Sequence, residues 1–583
     1  MMLNKNLMGR KDAWALMALA GGAAASSPWF AGNPEVLWLT APALAGGSWL
    51  GWKKTSQWLS RINTEARENF ILPSAPLYPI TMGHGGIRLG YTRDHSHPLD
   101  VENDLIMRHT AIIGQSGVGK TTLGEFLLWQ QIVRNGGFIF IDAKLDFDTR
   151  NKLAYMMEIT GRGDQFYVLN VSDPDNSNTY NPILEGDQDE IASRLLNLLP
   201  SAENSPGADY YRQSANYALT VLVGAMKAAN MRYHYGDLTI LLQSPRALAE
   251  LERMIPPGPE RATFQVFIDQ YKRKPPGGGP IQIDLNQLKQ VLGGMSGRIA
   301  QFAQGQFGKV FNNYAPEIDL FDIIINGKGL YVMLPTMAKD TAALNLGKMI
   351  MSDLRSAIAK VQALTKSMRP NPPFMVFPDE MGSYVMPGIS VMFEQARSAG
   401  ISMFPAFQSF ANLTTVSPDF ADRIIQNTWN KVFFKFGSKD SPETAAEILG
   451  KVKRYAYSLS QSESSSSSAQ VVQAGPQSSE SSSGGLGESW RQQEEYRITP
   501  DQLKSLGKGE AVVMSGARIY HIKTPMLLFK DDIPDYKVIR HPVSVPKGVG
   551  CLNFTERYRE FLSDPGGAGP SPTPPLDIPS QPV

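Results

Sequence analysis

Cysteine and histidine, the residues that most often build redox and transition-metal sites, are scarce in this sequence. The chain of 583 residues contains one cysteine, Cys551, and seven histidines. A single cysteine excludes an intramolecular disulfide and a cysteine-based zinc site, and it fits a reducing compartment. His95 and His97 form the closest histidine pair, beside Asp94 and Asp100. We interpret this segment as a solvated loop rather than a metal site, because no further run of ligands follows.

Excess charge of either sign is also missing, with 56 lysines and arginines against 55 aspartates and glutamates. Without a bulk field that attracts nucleic acid, any contact with DNA would depend on local basic clusters. Met231–Tyr235 interleaves cations with aromatic residues, and Lys272–Lys274 precedes a Pro/Gly-rich segment. Such clusters suit phosphate contact and base stacking. The slightly favoured alternative is a half-buried aromatic pair for the first cluster and a solvated loop for the second.

Two long apolar runs stand near the N-terminus, Ala13–Ala31 and Val36–Trp52. Each approaches the ~20 residues that a helix needs to cross a bilayer. Basic residues flank both outer ends while the link between the runs carries only Glu35, which predicts a transmembrane hairpin over residues 1–61 with both ends in the cytoplasm. The alternative is a signal peptide cleaved near Ser26, after which the second run would still anchor the chain.

The remaining sequence predicts an α/β fold. Apolar Leu105–Ile113, a helical stretch over Thr121–Val133 and the apolar run Phe138–Asp142 form one βαβ unit, which is typical of a doubly wound parallel sheet. Between 186 and 312 the apolar spacing becomes helical, and strand-like runs return afterwards.

This alternation predicts a nucleotide-binding domain interrupted by an all-helical insertion. Serine, glycine and glutamine dominate 458–489, a composition that cannot bury enough apolar surface to order itself. The predicted divisions are a hairpin (1–61), the first part of the nucleotide-binding domain (62–185), the helical insertion (186–312), the second part of that domain (313–545) with a disordered loop (458–489), and a Pro/Gly-rich tail (546–583).

The clearest motif is a complete Walker A sequence between a predicted strand and a predicted helix. Glycines in that position let successive backbone amides face phosphate, and the helix adds its positive N-terminus. Lys120 is predicted to reach the β- and γ-phosphates, and the Thr121 hydroxyl to ligate Mg²⁺. The motif therefore predicts ATP and Mg²⁺ as cofactors. The predicted nucleotide-binding residues are Gly114, Gln115, Ser116, Gly117, Val118, Gly119, Lys120, Thr121 and Thr122.

A second apolar strand, Phe374–Pro378, ends in the acidic pair Asp379 and Glu380. We predict that Asp379 helps to hold Mg²⁺ and that Glu380 polarises the attacking water. Asp142 also ends an apolar strand, without an acidic neighbour. It is assigned a supporting role at the strand tip, with helix or loop capping as the alternative.

Two further residues are candidates for the nucleotide site because of their places at the ends of predicted elements. Gln408 ends the strand-like run Ile401–Phe407, and an amide there can sense the γ-phosphate. Arg397 closes the preceding helix. It is either a cation that satisfies the helix dipole or an arginine finger for a neighbouring subunit.

These features together resemble the type IV secretion coupling proteins, the TraD- and TraG-type ATPases. The likeness spans roughly residues 1–535, and its closest branch includes the Dot/Icm coupling ATPase and relatives on conjugative plasmids. Leu145 replaces the glycine usual in the family's Asp-x-Lys-Gly loop. The residues that carry the resemblance are Arg108 and His109, the loop within Phe138–Asp146, Asp379 and Glu380, Arg397, Gln408, Leu346–Lys348 and Glu394–Ser398.

The resemblance implies a RecA-like, homo-hexameric ring with its body in the cytoplasm, anchored in the bacterial inner membrane. It makes Arg108 and Arg397 candidate catalytic arginines that act on a neighbouring subunit. The implied partners are the components of a type IV secretion channel, together with a relaxase and DNA.

Three functions compete at this stage: pumping DNA in conjugation, delivering protein effectors, and translocating DNA as FtsK- or HerA-type enzymes do. A translocase would be expected to carry a C-terminal winged-helix domain, which 546–583 is too short and too proline-rich to form. Effector-delivering relatives tend to carry a long C-terminal extension. The short tail therefore favours single-stranded DNA with a relaxase as the substrate.

Overall fold

A computed structural model describes residues 69–71, 85–94, 96–199, 208–274, 281–338, 340–467, 480–529 and 532–557. The strands are β1 (Asn69–Ile71), β2 (Gly86–Thr92), β3 (Pro98–Glu102), β4 (Thr110–Ile113), β5 (Phe138–Asp142), β6 (Phe166–Asn170), β7 (Met231–Arg232), β8 (Lys272–Arg273), β9 (Gln282–Ile283), β10 (Gly329–Met333), β11 (Phe374–Pro378), β12 (Ile401–Met403), β13 (Ala406–Phe407), β14 (Asn430–Phe433), β15 (Lys451–Ser467), β16 (Glu480–Tyr496), β17 (Glu510–Ser515), β18 (Arg518–Lys523), β19 (Met526–Leu528) and β20 (Gly550–Cys551).

The α-helices alternate with these strands in both halves of the chain and dominate the stretch between β6 and β10. They are α1 (Asn103–Ile106), α2 (Lys120–Val133), α3 (Phe147–Ile159), α4 (Gln188–Leu196), α5 (Ala208–Ala228), α6 (Tyr235–Leu241), α7 (Pro245–Met254), α8 (Pro259–Asp269), α9 (Leu285–Ala303), α10 (Gly305–Phe311), α11 (Leu320–Ile325), α12 (Asp340–Gln362), α13 (Ser390–Gln395), α14 (Ala411–Thr414), α15 (Pro418–Asn427), α16 (Asp440–Leu449) and α17 (Pro500–Lys504).

Two sheets meet at one interrupted strand. A parallel sheet has the order β12-β11-β5-β10-β6, and a mixed sheet has the order β13-β4-β14-β17-β18-β2-β3. Phe404 and Pro405 separate β12 from β13, and the Ile112 amide donates to the Pro405 carbonyl at 2.9 Å. The carboxyl ends of β5, β11, β13 and β4 therefore meet at one edge, because neighbouring parallel strands end on the same side.

The central strands are buried along their whole length, as strands covered by helices on both faces must be. All of β5, β10 and β11 is buried. The Phe140 ring stacks on Tyr331 at 5.4 Å and on Phe377 at 5.0 Å. These contacts explain why the strands are near-continuous apolar runs in the sequence. The predicted α/β P-loop ATPase fold with a parallel sheet is confirmed.

The stretch from α4 to α10 is mainly helical and has an aromatic centre. Tyr235 and Phe302 pack at 5.2 Å, and Phe302 packs against Phe311 at 5.7 Å. Short strands also occur here, since β8 pairs with β9 and β7 pairs with β20. The prediction of an all-helical stretch is wrong at these positions, because two-residue strands leave no periodic signal that sequence reading can detect.

The first part of the predicted Pro/Gly-rich tail (546–583) packs against the rest of the chain, up to residue 557. β20 pairs with β7 in parallel, and the Phe554 ring is fully buried. The Phe554 amide donates to the Asp237 Oδ1 carboxylate oxygen at 3.0 Å, and Arg557 pairs with Glu250. The segment therefore docks on the helical stretch through a few specific contacts. Residues 558–583 lie outside the described part of the chain.

Replacing Phe554 with alanine should release this C-terminal segment. Emptying a fully buried phenylalanine site costs about 3–5 kcal/mol, which exceeds what the remaining short contacts supply. Amide hydrogen exchange across 546–557 should accelerate strongly. Ile539→Ala is the matched control, because Ile539 is 41% exposed and its truncation changes stability by only about 0.5 kcal/mol. Unchanged protection in Phe554→Ala would contradict the anchoring role.

The Ser-rich tract was predicted to be disordered over 458–489, and this is wrong for 458–467 and 480–489. These residues belong to β15 and β16, which pair antiparallel from Lys451 opposite Tyr496 to Ser467 opposite Glu480. Hairpin pairing uses backbone groups that serine and glycine also carry, so low apolar content did not prevent it. Residues 468–479 lie outside the described chain.

The predicted transmembrane hairpin over 1–61 lies outside the described residues. Among the helices of the described ranges, we find none with the length and apolar character needed to cross a bilayer.

Candidate nucleotide site

The P-loop connects β4 to α2 in the conformation that its glycines permit. Gly117 has φ +77° and Gly119, the residue before the helix, has φ +116°. Side-chain-bearing residues rarely adopt such values. An added Cβ at Gly117 would meet nothing within 4 Å, so the mouth of the loop is open. The loop thus offers backbone amides and a helix N-terminus to an anion, which fits a nucleotide phosphate.

Lys120 lies at the start of α2 and is only 5% exposed. Its Nζ donates to the Gly114 carbonyl at 2.6 Å and to the Gln115 carbonyl at 3.1 Å. Burial lowers the pKa of Lys120, while the charges of Glu380 and Asp379 act in the opposite direction. A buried ammonium held by neutral carbonyls can exchange them for phosphate oxygens, which bind it more strongly.

The acidic pair follows β11 directly. Asp379 is 2% exposed and its amide donates to the Ile141 carbonyl at 2.9 Å, which fixes it against β5. Burial raises the pKa of Asp379, and Lys144 opposes that shift. Glu380 has φ +51°, the left-handed conformation. Non-glycine residues in this region concentrate at functional sites, where the surrounding structure maintains the strain.

Lys144 is the site residue that sequence reasoning missed. Its Nζ lies 3.2 Å from Asp379 Oδ2 and 3.0 Å from Glu380 Oε1. Two adjacent buried carboxylates need a counter-charge, because an unpaired buried charge costs several kcal/mol. The only sequence signal is its place two residues after Asp142, in the loop that follows β5.

Asp142 organises the loop that carries Lys144. Its Oδ1 accepts from the Lys144 amide at 2.8 Å, and its Oδ2 accepts from the Asp146 amide at 2.6 Å and from the Tyr331 hydroxyl at 3.0 Å. Leu145 has φ +59°. It therefore adopts the left-handed conformation at the position where the family usually has glycine, at a cost of about 1–2 kcal/mol.

Gln408 lies beside Glu380 although 28 positions separate them in the chain. Its Nε2 donates to Glu380 Oε1 at 2.9 Å. The Gly114 amide donates to the Phe407 carbonyl at 3.1 Å, so the strand end that bears Gln408 also contacts the P-loop. The side chain is thus placed to link changes at the acidic pair with changes at the phosphate-binding loop.

Arg108 and Arg397 are not brought to this site. Arg108 precedes β4 and Arg397 precedes β12, so both lie at the amino ends of strands whose carboxyl ends hold the site. At about 3.3 Å per residue, the length of β4 and its flanks separates Arg108 from the P-loop by roughly 15–20 Å. Neither arginine can reach the nucleotide site of its own chain.

The aromatic and basic cluster Met231–Tyr235 is structural. Tyr233 and Tyr235 are buried, and Arg232 donates to the Tyr314 carbonyl at 2.7 Å. The alternative interpretation of this cluster as half-buried aromatics was the better one, since rings inside the helical core cannot stack on bases. Lys272–Lys274 is more accessible, although Lys272 pairs with Asp269 at 2.7 Å.

Two family models match the chain. The model described as the TraM recognition site of TraD and TraG matches residues 373–508. The model described as the central domain of helicase HerA matches residues 87–290. The second range contains the P-loop, and the first contains the acidic pair, Arg397 and Gln408.

Individual proteins are also similar. Type 4 coupling protein DotL of Legionella pneumophila is 24% identical over 412 residues, which cover 63% of this chain and 52% of DotL. The chain thus spans about half the length of this relative. The bacterial conjugative coupling protein TrwB without its N-terminal region superposes with a TM-score of 0.48 at 14% identity, covering 76% of this chain and 90% of that truncated chain.

VirB4 of Thermoanaerobacter pseudethanolicus superposes with a TM-score of 0.43 at 13% identity, covering 76% of this chain and 97% of VirB4. The motif-based resemblance drawn from the sequence is confirmed: the chain is similar to a type 4 coupling protein and matches a model described for TraD and TraG.

Proposed function

We propose that this chain is the ATP-hydrolysing motor of a type IV secretion system, coupling ATP hydrolysis to substrate transfer. One observation carries the proposal. Lys120, the Asp379–Glu380 pair and Gln408 converge at the carboxyl ends of neighbouring strands, with Gln408 2.9 Å from Glu380. A phosphate-binding loop beside a carboxylate pair is the arrangement that nucleotide hydrolysis requires.

Each residue then has a role. The P-loop amides and Lys120 bind the phosphates, and Thr121 and Asp379 would hold Mg²⁺, whose charge would offset that of the phosphate oxygens. Glu380 orients and polarises the attacking water. Gln408 would move when Glu380 moves or changes partners, because its Nε2 donates to the Glu380 carboxylate.

The assembly is proposed to be a homo-hexamer in which Arg108 and Arg397 complete the site of the neighbouring subunit. The family resemblance suggests this arrangement, and the position of the two arginines, on the edge of the sheet opposite to the site of their own chain, is compatible with it. The apolar runs within 1–61 would anchor the ring in the inner membrane and leave the motor in the cytoplasm. Channel components of the secretion system are the proposed partners.

For the substrate we propose single-stranded DNA carried with a relaxase. The match of 87–290 to the central domain of a helicase supports DNA, and Lys272–Lys274 supplies accessible cations. Delivery of protein effectors is the second candidate. Similarity to the type 4 coupling protein DotL and the resemblance of Leu346–Lys348 and Glu394–Ser398 to the Dot/Icm branch both favour it.

A salt titration separates these substrates. Replacing Lys272–Lys274 with alanine should weaken binding to oligonucleotides of any sequence and flatten the salt dependence by about one unit of slope per lost phosphate contact. Replacing exposed cations elsewhere, Lys366, Arg423 and Lys439, should leave the slope unchanged. Basal ATPase should persist in both variants. An unchanged slope in the first variant would remove this loop from the DNA path, and absent binding in the wild type would favour effectors.

A further inference from the structure

Arg108 and Arg397 share one acceptor on the surface opposite the nucleotide site. Arg108 donates from one terminal nitrogen to Asp104 Oδ2 at 2.9 Å, and Arg397 donates from one terminal nitrogen to Asp104 Oδ1 at 3.0 Å. The side chains of Asp104, Arg397 and Arg108 are 55%, 48% and 32% exposed. The pair is thus accessible to another molecule, and each guanidinium retains further N–H groups.

The backbones that carry these arginines are joined by a buried histidine. His109 is 1% exposed and has φ +67°. Its Nδ1 accepts from the Met403 amide at 3.1 Å, so its Nε2 carries the proton and donates to the Phe393 carbonyl at 3.0 Å. Burial lowers the pKa of His109 to about 4, which keeps it neutral. The turn that bears Arg108 is thereby fixed to the helix that leads to Arg397.

Trp429 restrains Arg108 from the other side. The guanidinium carbon lies 4.9 Å from the centre of the indole ring, and the Trp429 amide donates to the Arg108 carbonyl at 2.8 Å. Arg108 Nε is buried and has no hydrogen-bond partner within the described chain. The Arg108 guanidinium is therefore held by the Trp429 ring and by its ion pair with Asp104. Neither contact uses the Nε donor.

Asp104 is the component that brings the two cations together. Without it, two adjacent guanidinium groups repel each other, and long side chains regain rotamer freedom. An ion pair this exposed contributes little to folding stability, so the carboxylate has little structural value. Its effect is on orientation. Because it occupies one terminal nitrogen of each arginine, the other terminal nitrogen of each can still donate to an incoming anion.

We propose that Asp104 is a positioning residue that presents Arg108 and Arg397 as one clamp to the nucleotide phosphates bound by a second copy of this chain. The inference rests on the proposed function, because it requires a subunit boundary at which nucleotide is hydrolysed. Two convergent arginines donate to the oxygens where charge develops in phosphoryl transfer. Their joint placement would be set before the subunits meet, which reduces the ordering cost of the contact.

The test uses the full chain in detergent and two substitutions, Asp104→Ala and Asp104→Asn. Turnover should fall about 10- to 100-fold, as expected when a catalytic group is misplaced, while binding of a fluorescent ATP analogue and melting temperature stay unchanged. Asp100→Ala is the matched control. Asp100 is 53% exposed and forms a two-bond pair with Arg88 at 2.7 and 2.8 Å, but it contacts neither Arg108 nor Arg397.

Subunit mixing shows whether Asp104 acts through the arginines. Lys120→Ala protein has an inactive site but an intact clamp, and Asp104→Ala protein has the opposite defect. Mixtures should hydrolyse ATP faster than the sum of the two, as should mixtures of Lys120→Ala with Arg397→Ala. Rescue of Arg397→Ala without rescue of Asp104→Ala would overturn the positioning role. Wild-type turnover in Asp104→Ala would also overturn it.

Two other results separate this inference from the proposed function. If the wild type hydrolyses ATP but neither mixture shows rescue, the clamp does not act between subunits, while the ATPase assignment stands. If the wild type itself hydrolyses no ATP, the proposed function fails and the clamp fails with it.

Discussion

Replacing Lys120 with alanine is expected to reduce ATP turnover by at least about 100- to 1,000-fold, the loss typical of removing one donor that stabilises transition-state charge. The fold should tolerate the change. Lys120 donates to the carbonyls of Gly114 and Gln115. Its removal leaves the acidic pair with a counter-charge, because Lys144 contacts both Asp379 and Glu380. Those carbonyls belong to the open P-loop, where water can replace the ammonium.

Lys431 supplies the matched control for this experiment. It is another buried lysine, 8% exposed, whose Nζ donates to a carbonyl, that of Thr428. It lies toward the amino end of β14, away from the P-loop. Lys431→Ala should therefore leave turnover of the folded protein near the wild-type value. Steady-state phosphate release by protein with matched melting temperature gives the comparison. Wild-type turnover in Lys120→Ala would remove the P-loop from catalysis.

Replacing Glu380 with glutamine should separate binding from hydrolysis. Phosphate binding belongs to the P-loop, whereas Glu380 lies beyond it next to Gln408 and Lys144. The amide keeps the size and an acceptor oxygen but cannot polarise water, so turnover should fall about 100- to 10,000-fold. ATP should bind with near-normal affinity and remain unhydrolysed on the protein.

Radiolabelled nucleotide recovered after rapid gel filtration would identify the trapped species. Glu125→Gln is the matched control, since Glu125 is also a buried carboxylate paired with a lysine, Lys152 at 3.2 Å. Lys144 would retain Asp379 as a partner in Glu380→Gln, which limits the structural effect. Loss of ATP binding in Glu380→Gln would show that the residue supports the site structurally and does not act on water.

Segments whose structure depends on few contacts could not be predicted from their residues. Phe554 could not be distinguished from the rest of a Pro/Gly-rich end, because one buried ring and a few backbone bonds fix the segment to the helical stretch. In the sequence, Tyr233 and Tyr235 fitted base stacking and, slightly better, a half-buried pair; their full burial in the structure excludes stacking on bases. Side-chain type alone does not reveal whether a ring faces solvent or the core.

The composition and motifs by themselves determined the P-loop from Gly114 to Thr121, the acidic pair after β11 and the polar tip at Gln408. These signals are local, because a strand, a turn and a helix start are encoded by neighbouring residues. The tertiary structure alone decided that Lys144 bridges Asp379 across 235 positions and that Arg397 meets Asp104 across 293. Such contacts depend on which strands become neighbours in the sheet, and burial of the whole apolar core sets that order.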